Sequence, residues 1–372
     1  MTSETLQPSS EFDFESHQRA AVEQYQQVRP LYVSFAEAVR GVLVEALRSR
    51  QLKVASVEAR AKALESFQAK ARSPAEGDPN RPKYADPVTE ITDLAAARVI
   101  TFFLKDTEHV DRLIREEFHV LERTDKAALL LQEDRLGYQS VHYIVELRPN
   151  RTSLPEYSRY SGLKAEIQLR TVLQHAWAEI EHDIQYKSVE TIPAEIRRRF
   201  TALAGLLEIA DREFQAVQAE DERLRQQARC SVAQGRLEEV EITGDALKAY
   251  LDKKLGPDGR MTAASYEWTA KMLRRLGFVN FGQIEAAIGR YDHDGVSRTV
   301  HGTRQGQLTR FEDMILAAMG PGFMDRHEWA QEGWWRTWKQ SLLERMRSKG
   351  IPIGTYAPDA TSERENSEKA HG

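Results

Sequence analysis

The alternating run Leu163–Arg170 constrains the fold of this 372-residue chain more than any other segment. Leucine, alanine, isoleucine and leucine occupy every second position, and lysine, glutamate, glutamine and arginine stand between them. Because successive side chains of a β-strand point to opposite faces, this order predicts a strand with one face in an apolar core. The opposite face must then meet water or a charged ligand.

Neighbouring segments predict that this strand belongs to an α/β or α+β domain. Val99–Leu104 is continuously apolar, as in a buried strand, and Ser140–Leu147 carries apolar residues at alternate positions. Helical spacing of apolar residues predicts helices at Thr107–Phe118 and at Val172–Tyr186. Strands interleaved with helices are typical of a sheet covered by helices.

The rest of the chain is predicted to be mainly helical. Helical spacing extends over Ser16–Leu52, where Pro30 is expected as the first residue of a second helix. A basic amphipathic stretch, Val54–Arg72, precedes a Pro/Gly/Asn-rich loop at Ser73–Pro87 that is long enough for a functional lid. A heptad-like seam at Ile196–Val217 fits packing on its own domain or on a second copy in a homo-oligomer. The predicted organisation is helices at residues 1–53, the strand-containing domain at 54–190, a long helix at 191–230, a helical domain at 231–356 and a disordered tail at 357–372.

The predicted C-terminal domain has two further features. The polar residues Gln226, Gln227 and Ser231, followed by Gly235, indicate a hinge at its start. It also holds five of the six tryptophans of the chain, which we expect in its core.

Composition excludes several classes of protein. A net charge of −5 argues against a surface that coats nucleic acid or anionic membrane, so such a partner needs a local site. One cysteine, Cys230, forms neither an intrachain disulfide nor a cysteine-rich zinc module, and the cytoplasm is the expected compartment. Residues 1–18 lack the apolar core of a signal peptide, and no apolar run is long enough to cross a bilayer.

Two carboxylates form a candidate catalytic pair. Asp93 stands just before the Val99 strand and Glu166 lies on the polar face of the alternating strand, so one sheet can bring them to the same side. Phosphoryl transfer uses such a pair, because one carboxylate holds Mg²⁺ against phosphate oxygens while the other accepts the proton of an attacking hydroxyl. The alternative interpretation is that Asp93 caps a turn and Glu166 is solvated on an exposed face.

Basic and aromatic side chains near this pair suit an anionic nucleotide. Guanidinium groups fork onto phosphate oxygens and stack on purine rings, and Tyr138 in the Gly-Tyr-Gln-Ser segment offers a ring for a base. A solvated basic helix face at Arg60–Arg72 is the alternative. The basic residues in question are Arg60, Lys62, Lys70, Arg72, Arg98 and Arg170.

One helical face has the spacing of a metal site. His175, Glu179 and His182 follow at i, i+4 and i+7. Pairing of the two imidazoles with the neighbouring carboxylates is the alternative interpretation.

Five segments, taken in order, resemble the synthetase domain of the RelA/SpoT alarmone enzymes, particularly the small members with a single synthetase domain. The resemblance covers roughly Val54–Ser188. Five segments in the family's order are far more specific than any one of them. They are Arg60–Lys70, Asp93–Ile100, Gly137–His142, Glu166–Thr171, and Gln174–His182 followed by Tyr186-Lys187.

The resemblance implies a fold, an activity and a set of site residues. That family transfers the β,γ-pyrophosphate of ATP to the ribose 3′-hydroxyl of GDP or GTP, using Mg²⁺, on a mixed β-sheet flanked by helices that is related to nucleotidyltransferases. By position, Asp93 and Glu166 are implied as catalytic residues and Mg²⁺ ligands, with Glu166 activating the hydroxyl. The implied ATP-binding residues are Arg60, Lys62, Ser66, Lys70 and Arg98, and the implied acceptor-binding residues are Tyr138, His142, Gln168 and Arg170.

Departures from the family pattern leave two further functions open. Asp134-Arg135-Leu136 stands where relatives often have a lysine or asparagine before the Gly-Tyr pair. The hydrolase half of the long bifunctional enzymes is not expected before the basic stretch. Tyr157-Ser-Arg-Tyr160 resembles a pattern in a toxic branch that makes adenosine alarmones or pyrophosphorylates the 3′ end of tRNA, in which case the C-terminal domain would neutralise the toxin. The second alternative is a noncatalytic nucleotide-binding or interaction protein.

Overall fold

The computed structural model describes residues 12–125, 140–187 and 194–358, and the chain divides into two compact units, Met1–Val217 and Gln218–Gly372. The division lies inside one long helix, Ala194–Gln234. The sequence boundary at residue 190 precedes this helix and the boundary at residue 230 lies within it, and both stay a prediction.

The first unit combines a mixed β-sheet with helices, as the sequence predicted. Its elements in chain order are α1 (Phe14–Ser49), β1 (Ser56–Ala61), α2 (Leu64–Ala71), β2 (Pro74–Ala75), β3 (Asp78–Pro82), α3 (Pro87–Glu90), β4 (Ala95–Thr101), α4 (Leu104–Glu117), β5 (Phe118–Asp125), β6 (Val141–Leu147), α5 (Pro149–Thr152), a 3-10 turn (Ser158–Tyr160), β7 (Ala165–Thr171), α6 (Val172–Lys187) and the first part of α7 (Ala194–Gln234).

Five strands form the main sheet in the order β1-β4-β7-β6-β5. The central pair β4 and β7 is parallel, and the other neighbours are antiparallel. One face is apolar and packs against α1 and α4 in a single core. Ala97, Val99, Ile167 and Leu169 on this face are at most 2% exposed, so the aliphatic half of the alternating segment is core, as predicted.

The N-terminal helix differs from the prediction at Pro30. The prediction of a second helix starting at this residue is wrong, because α1 runs through it without a break. A proline inside a helix costs about 3 kcal/mol, since it removes one backbone hydrogen bond. Tyr25, Tyr32 and Phe35 lie on both sides of it and are buried in the same core, and their burial offsets that cost.

The basic stretch from Val54 to Arg72 divides into two elements, so the alternative of one helical face over Arg60–Arg72 is wrong. Its first half is the edge strand β1, and only its second half is helical, in α2. The following Ser73–Pro87 segment is not entirely loop either, since β2 and β3 pair as a small antiparallel ribbon within it.

The second unit is helical, as predicted, and has its own core. The helices after α7 are α8 (Gly244–Leu255), α9 (Ala263–Leu276), α10 (Phe281–Ile288), α11 (His293–His301), α12 (Gln307–Met319), α13 (Pro321–Arg326) and α14 (Gly333–Ser348). The chain then returns along the end of α12, where the Gly354 N–H donates to the Ala317 carbonyl at 2.8 Å. A Cβ atom on Gly354 would approach the Ala318 carbonyl oxygen to 2.4 Å, so only glycine fits this close approach.

Two predictions for the C-terminal part are wrong. The expected hinge at Gln226–Ser231 lies inside α7, which continues to Gln234 and ends before Gly235, where φ is +80°. Of the five tryptophans expected in the core, Trp335 is buried at 1% exposure, whereas the other four are between 39% and 66% exposed. Those four are Trp268, Trp329, Trp334 and Trp338.

No helix among the described residues has both the length and the apolar composition that crossing a bilayer requires.

Candidate active site

The polar face of the main sheet gathers most of the predicted site residues. In the strand register, Arg60 of β1 and Glu166 of β7 both flank Ala96 of β4, so their side chains share one face. Two residues further along β4, Arg98 pairs with Gln168 of β7, which in turn pairs with His142 of β6. Each strand contributes alternate residues, so the pleat aligns polar side chains from four strands.

Glu166 is held at both carboxylate oxygens. The His142 Nδ1 donates to Oε1 at 2.7 Å, and the Gln168 Nε2 donates to Oε2 at 2.9 Å. His142 reaches diagonally across from β6, because its direct register partner is Gln168. The Glu166 side chain retains 17% exposure, so the carboxylate is oriented by two fixed donors and is still accessible.

A serine stands behind His142. The Ser140 hydroxyl lies 2.9 Å from the His142 Nε2, and both residues are buried. Because a carboxylate only accepts hydrogen bonds, the Nδ1 that faces Glu166 carries a proton. In the neutral ring, Nε2 then accepts from Ser140, and both ring nitrogens are engaged.

Asp93 binds two lysines. It lies in the turn between α3 and β4, 2.6 Å from the Lys62 Nζ and 3.1 Å from the Lys70 Nζ. Lys62 follows β1 and its backbone N–H donates to the Leu94 carbonyl, whereas Lys70 projects from α2. Two ammonium groups against one carboxylate leave a net positive charge, which suits an anionic ligand.

Arg98 sits in a ring of polar groups from two elements. Its guanidinium is 3.0 Å from Glu179 of α6, 3.8 Å from Glu58 of β1 and 3.5 Å from the His175 Nδ1. Burial and the Arg98 charge lower the pKa of His175, so this ring is neutral at pH 7. Two of the three residues predicted as a metal-binding face, His175 and Glu179, contact the Arg98 guanidinium instead. The side chain of the third residue, His182, lies outside the described residues.

Arg170 is a half-buried cation on the same polar face as Glu166 and Gln168. Burial and the nearby Arg98 charge lower its pKa, and its Nε is buried without a hydrogen-bond partner among the described residues. An arginine keeps its charge despite such a shift. A buried donor without a partner indicates room for an acceptor group from a ligand.

The remaining predicted residues lie at the margin or outside the described part. Arg60 and Ser66 are exposed on β1 and α2. Tyr138, predicted to stack on the acceptor base, falls outside the described residues. Tyr160 of the Tyr-x-x-Tyr segment is 3% exposed and its ring packs 5.4 Å from that of Phe35, so it belongs to the core.

Two site residues were missed in the sequence. Glu58 alternates with Ser56 and Arg60 against apolar neighbours, a strand pattern that the surrounding basic residues obscured. Ser140 was predicted only as the first residue of a strand, and nothing in the sequence indicates its contact with His142. Among the described residues, no cluster of three or more His, Cys, Asp or Glu side chains is arranged around a metal position.

Comparison with known proteins identifies the central part of the first unit. Residues 59–191 match the family model of the region found in RelA / SpoT proteins, so the chain contains a RelA/SpoT region and the second unit is additional to it. The chain is 30% identical over 131 residues to GTP pyrophosphokinase YwaC of Bacillus subtilis (strain 168). It is 28% identical over 135 residues to GTP pyrophosphokinase YjbM of the same organism.

These matches are partial in length. The match to YwaC spans 35% of this chain and 59% of the relative, and the match to YjbM spans 36% and 60%. Among solved structures, small alarmone synthetase 1 of Bacillus subtilis bound to its product pppGpp aligns with a TM-score of 0.43 and 24% identity, over 53% of this chain and 98% of the other. A GTP pyrophosphokinase family protein from Streptococcus pneumoniae aligns with a TM-score of 0.44 and 23% identity, over 54% and 95%.

Proposed function

We propose that the first unit is a pyrophosphokinase that transfers the β,γ-pyrophosphate of ATP to the ribose 3′-hydroxyl of GDP or GTP. The observation that carries the proposal is the doubly held Glu166 carboxylate on the same sheet face as Arg98 and Arg170. The RelA/SpoT region and the two relatives named as GTP pyrophosphokinases support the same reaction class.

Glu166 is the base in this reaction. It accepts the proton of the acceptor 3′-hydroxyl as the oxygen bonds to the β-phosphorus of ATP. The bond between the β-phosphorus and the oxygen that bridges to the α-phosphate breaks, and its electron pair leaves with AMP. Because such transfers involve little covalent work by the protein, fixed orientation and charge supply most of the rate increase.

The cations divide between the two nucleotides. Lys62, Lys70 and the exposed Ser66 face the ATP phosphates, and Arg60 and Arg98 stack on the adenine from the two neighbouring strands β1 and β4. Gln168 and Arg170 contact the acceptor, where the Arg170 Nε, which has no partner among the described residues, meets a phosphate or ribose oxygen. Tyr138 is proposed as the platform for the acceptor base.

The donor set suits Mg²⁺. This ion prefers oxygen ligands and is held by one or two carboxylates together with substrate phosphates. Asp93 offers a half-buried carboxylate that is paired with two ammonium groups. The phosphates of ATP would attract these ammonium groups and leave the carboxylate available to the ion. Asp93, together with Glu166, would hold the ion, which when bound neutralises charge on the transferred phosphoryl oxygens.

A product assay tests the proposal. Purified full-length protein is incubated with Mg²⁺ and ATP labelled in the terminal phosphate, and GDP, GTP, ATP, AMP and deacylated tRNA are offered separately. We expect label on the guanosine acceptors, and a loss of about 10²- to 10⁴-fold in turnover for Glu166→Gln. The matched control is Glu122→Gln, an exposed glutamate of β5 in the same register row as Glu166.

The other outcomes decide among the alternatives. Label on an adenosine nucleotide or on tRNA would move the protein to the toxic branch and make the second unit the candidate neutralising domain. No transfer to any acceptor by folded protein would leave a noncatalytic nucleotide-binding protein and would refute the proposal.

A further inference from the structure

We infer that three exposed tryptophans of the second unit form a docking surface for a proline-rich segment of another protein that carries a basic residue. They are Trp268 of α9, Trp329 in the turn before α14 and Trp334 of α14, and we call them the tryptophan patch. The patch lies outside the RelA/SpoT region, so the inference goes beyond the proposed pyrophosphokinase activity and does not depend on it.

The three indoles of the patch form one continuous aromatic surface. The Trp329 ring is in the middle, with its centroid 5.9 Å from that of Trp268 and 6.3 Å from that of Trp334. All three residues are at least 39% exposed, whereas the neighbouring Trp335 is buried in the core. Contiguous exposed aromatic surface on a folded domain is typical of an interaction site, and tryptophan often contributes most of the binding energy there.

Buried rings fix the position of the middle tryptophan. The rings of His327 and Trp335 stack at 4.2 Å, and their centroids lie 5.7 Å and 6.3 Å from that of Trp329. The Trp329 backbone N–H also donates to the His327 Nδ1 at 3.1 Å. A ring that is already held in place loses little conformational entropy when a partner binds.

The hydrogen-bonding groups of the patch restrict the chemistry of the partner. An indole nitrogen donates a hydrogen bond and does not accept one, so the three rings offer donors only. His327 is neutral at pH 7, because burial lowers its pKa, and its proton lies on Nε2 since Nδ1 accepts from Trp329. This Nε2 is buried without a hydrogen-bond partner among the described residues, and the rings of Trp268 and Trp329 contact the same imidazole. A partner that fits the patch therefore supplies acceptors and few donors.

A proline-rich segment meets this requirement. Proline has a carbonyl acceptor and no backbone N–H, and its ring offers an apolar face to an indole. Such segments form polyproline II helices without internal hydrogen bonds, and aromatic-lined surfaces recognise them. A carbohydrate fits less well, because its hydroxyl groups also donate and find no acceptor on the indole rings.

Two carboxylates beside the patch favour a positive charge on the partner. Glu328 directly precedes Trp329, and the Glu332 backbone N–H donates to the Trp329 carbonyl at 2.9 Å, so both lie within one turn of the middle ring. Both glutamates are exposed, and neither takes part in an ion pair among the described residues. Their charge repels the phosphates of nucleic acids and anionic lipids and attracts an arginine or lysine.

The nearest arginines in the sequence do not cancel this charge. Arg336 pairs with Asp325 at 2.6 Å, and Arg326 donates to the Leu276 carbonyl at 3.1 Å. The two glutamates are therefore the charges that a docked segment meets, which is why the inferred partner carries a basic residue next to its prolines.

The test is a titration of full-length protein into a fluorescein-labelled peptide of one arginine followed by a run of prolines, read by fluorescence anisotropy. Matched peptides replace the arginine with alanine or the prolines with alanines. We expect saturable binding of the first peptide, weaker binding of the peptide without arginine, and a loss of at least about tenfold in affinity when the prolines are replaced.

Two variants test the two parts of the surface. Trp334→Ala, at the most exposed of the three rings, should weaken binding of the arginine–proline peptide at least about tenfold. Glu332→Gln should weaken it about three- to tenfold and leave the affinity for the peptide without arginine unchanged. The matched control is Phe214→Ala, at an exposed aromatic ring of the first unit, which should bind like the wild type. Thermal unfolding of each variant shows whether a loss of binding follows from unfolding.

Several results would overturn the inference. They are no saturable binding up to about 1 mM peptide by folded wild-type protein, or equal affinity in Trp334→Ala. Self-association, or binding to vesicles of anionic lipid, that Trp334→Ala abolishes while the peptide fails to bind would assign the patch to a second copy or to a membrane instead. Because the readout is binding, a wild type without pyrophosphokinase activity would refute the proposed function and leave this inference standing.

Discussion

Replacing Asp93 with asparagine is expected to strengthen metal-free ATP binding while it weakens catalysis. In the structure the carboxylate accepts from Lys62 at 2.6 Å and from Lys70 at 3.1 Å, so it neutralises part of the charge that is proposed to attract ATP phosphates. The Asp93→Asn variant removes one negative charge next to both ammonium groups and keeps the shape of the side chain. The two effects have opposite signs, which makes the prediction specific.

The magnitude follows from the distances. A phosphate oxygen bonded to the far side of the Lys62 ammonium lies about 5 Å from the Asp93 carboxylate, given a charge-assisted contact of about 2.8 Å. Coulomb repulsion at about 5 Å is about 0.8 kcal/mol in water and about 3 kcal/mol at an effective dielectric constant of about 20. Asp93 is 20% exposed and lies between these limits, so removal of its charge should tighten ATP binding about five- to 100-fold.

The assay is calorimetric titration of ATP into wild-type and variant protein in EDTA, followed by turnover with Mg²⁺ present. Turnover should fall at least about 10²-fold, because the variant loses the carboxylate that is proposed to hold Mg²⁺. Asp325→Asn, at an exposed ion pair of the second unit, changes the net charge equally and controls for nonspecific attraction. Weaker metal-free ATP binding in Asp93→Asn, or unchanged turnover, would refute the reasoning.

Three further predictions concern both units. Glu179→Gln removes the carboxylate nearest Arg98, at 3.0 Å, and should raise the KM for ATP about three- to tenfold in steady-state assays. An unchanged KM would count against adenine stacking by Arg98. Gly354→Ala forces a Cβ against a carbonyl oxygen and should destabilise the protein by about 1–3 kcal/mol in thermal unfolding, whereas Gly322→Ala, with no atom within 4 Å of the added carbon, should not. Burial lowers the pKa of His327 below its usual value near 6.5, so at acidic pH the unfolded chain binds a proton that the folded unit excludes. The free energy of unfolding should therefore fall as the pH drops below about 6.5. His327→Phe should make this pH dependence shallower.

The strands of the first unit were predictable where alternation was undisturbed. Leu163–Arg170 and Ser140–Leu147 correspond closely to β7 and β6, because burial of one face dictates a period of two. Strand β1 was missed because its six residues merge with the basic segment that follows. Pro30 shows the opposite limit, since burial of the aromatic side chains on both sides of it in α1 outweighs its local helix-breaking effect.

The candidate site was predictable in membership but not in its pairings. The sequence shows that Glu166 and Gln168 share a strand face, because two residues separate them. It cannot show that His142 lies diagonally opposite, because register between strands depends on backbone pairing between residues 24 positions apart in the chain. The same limit applies to Glu179, whose contact with Arg98 requires the packing of α6 over the sheet.

The shared pleat of β4, β7 and β6 has a consequence for how this protein can change over evolution. A deletion of one residue within β7 would turn Glu166, Gln168 and Arg170 toward the helices of the core and expose the aliphatic residues that now lie there. Insertions and deletions in this strand therefore disrupt the polar site face and the folded core together. Single substitutions can change the polar face, but the length of β7 is held constant by the fold itself.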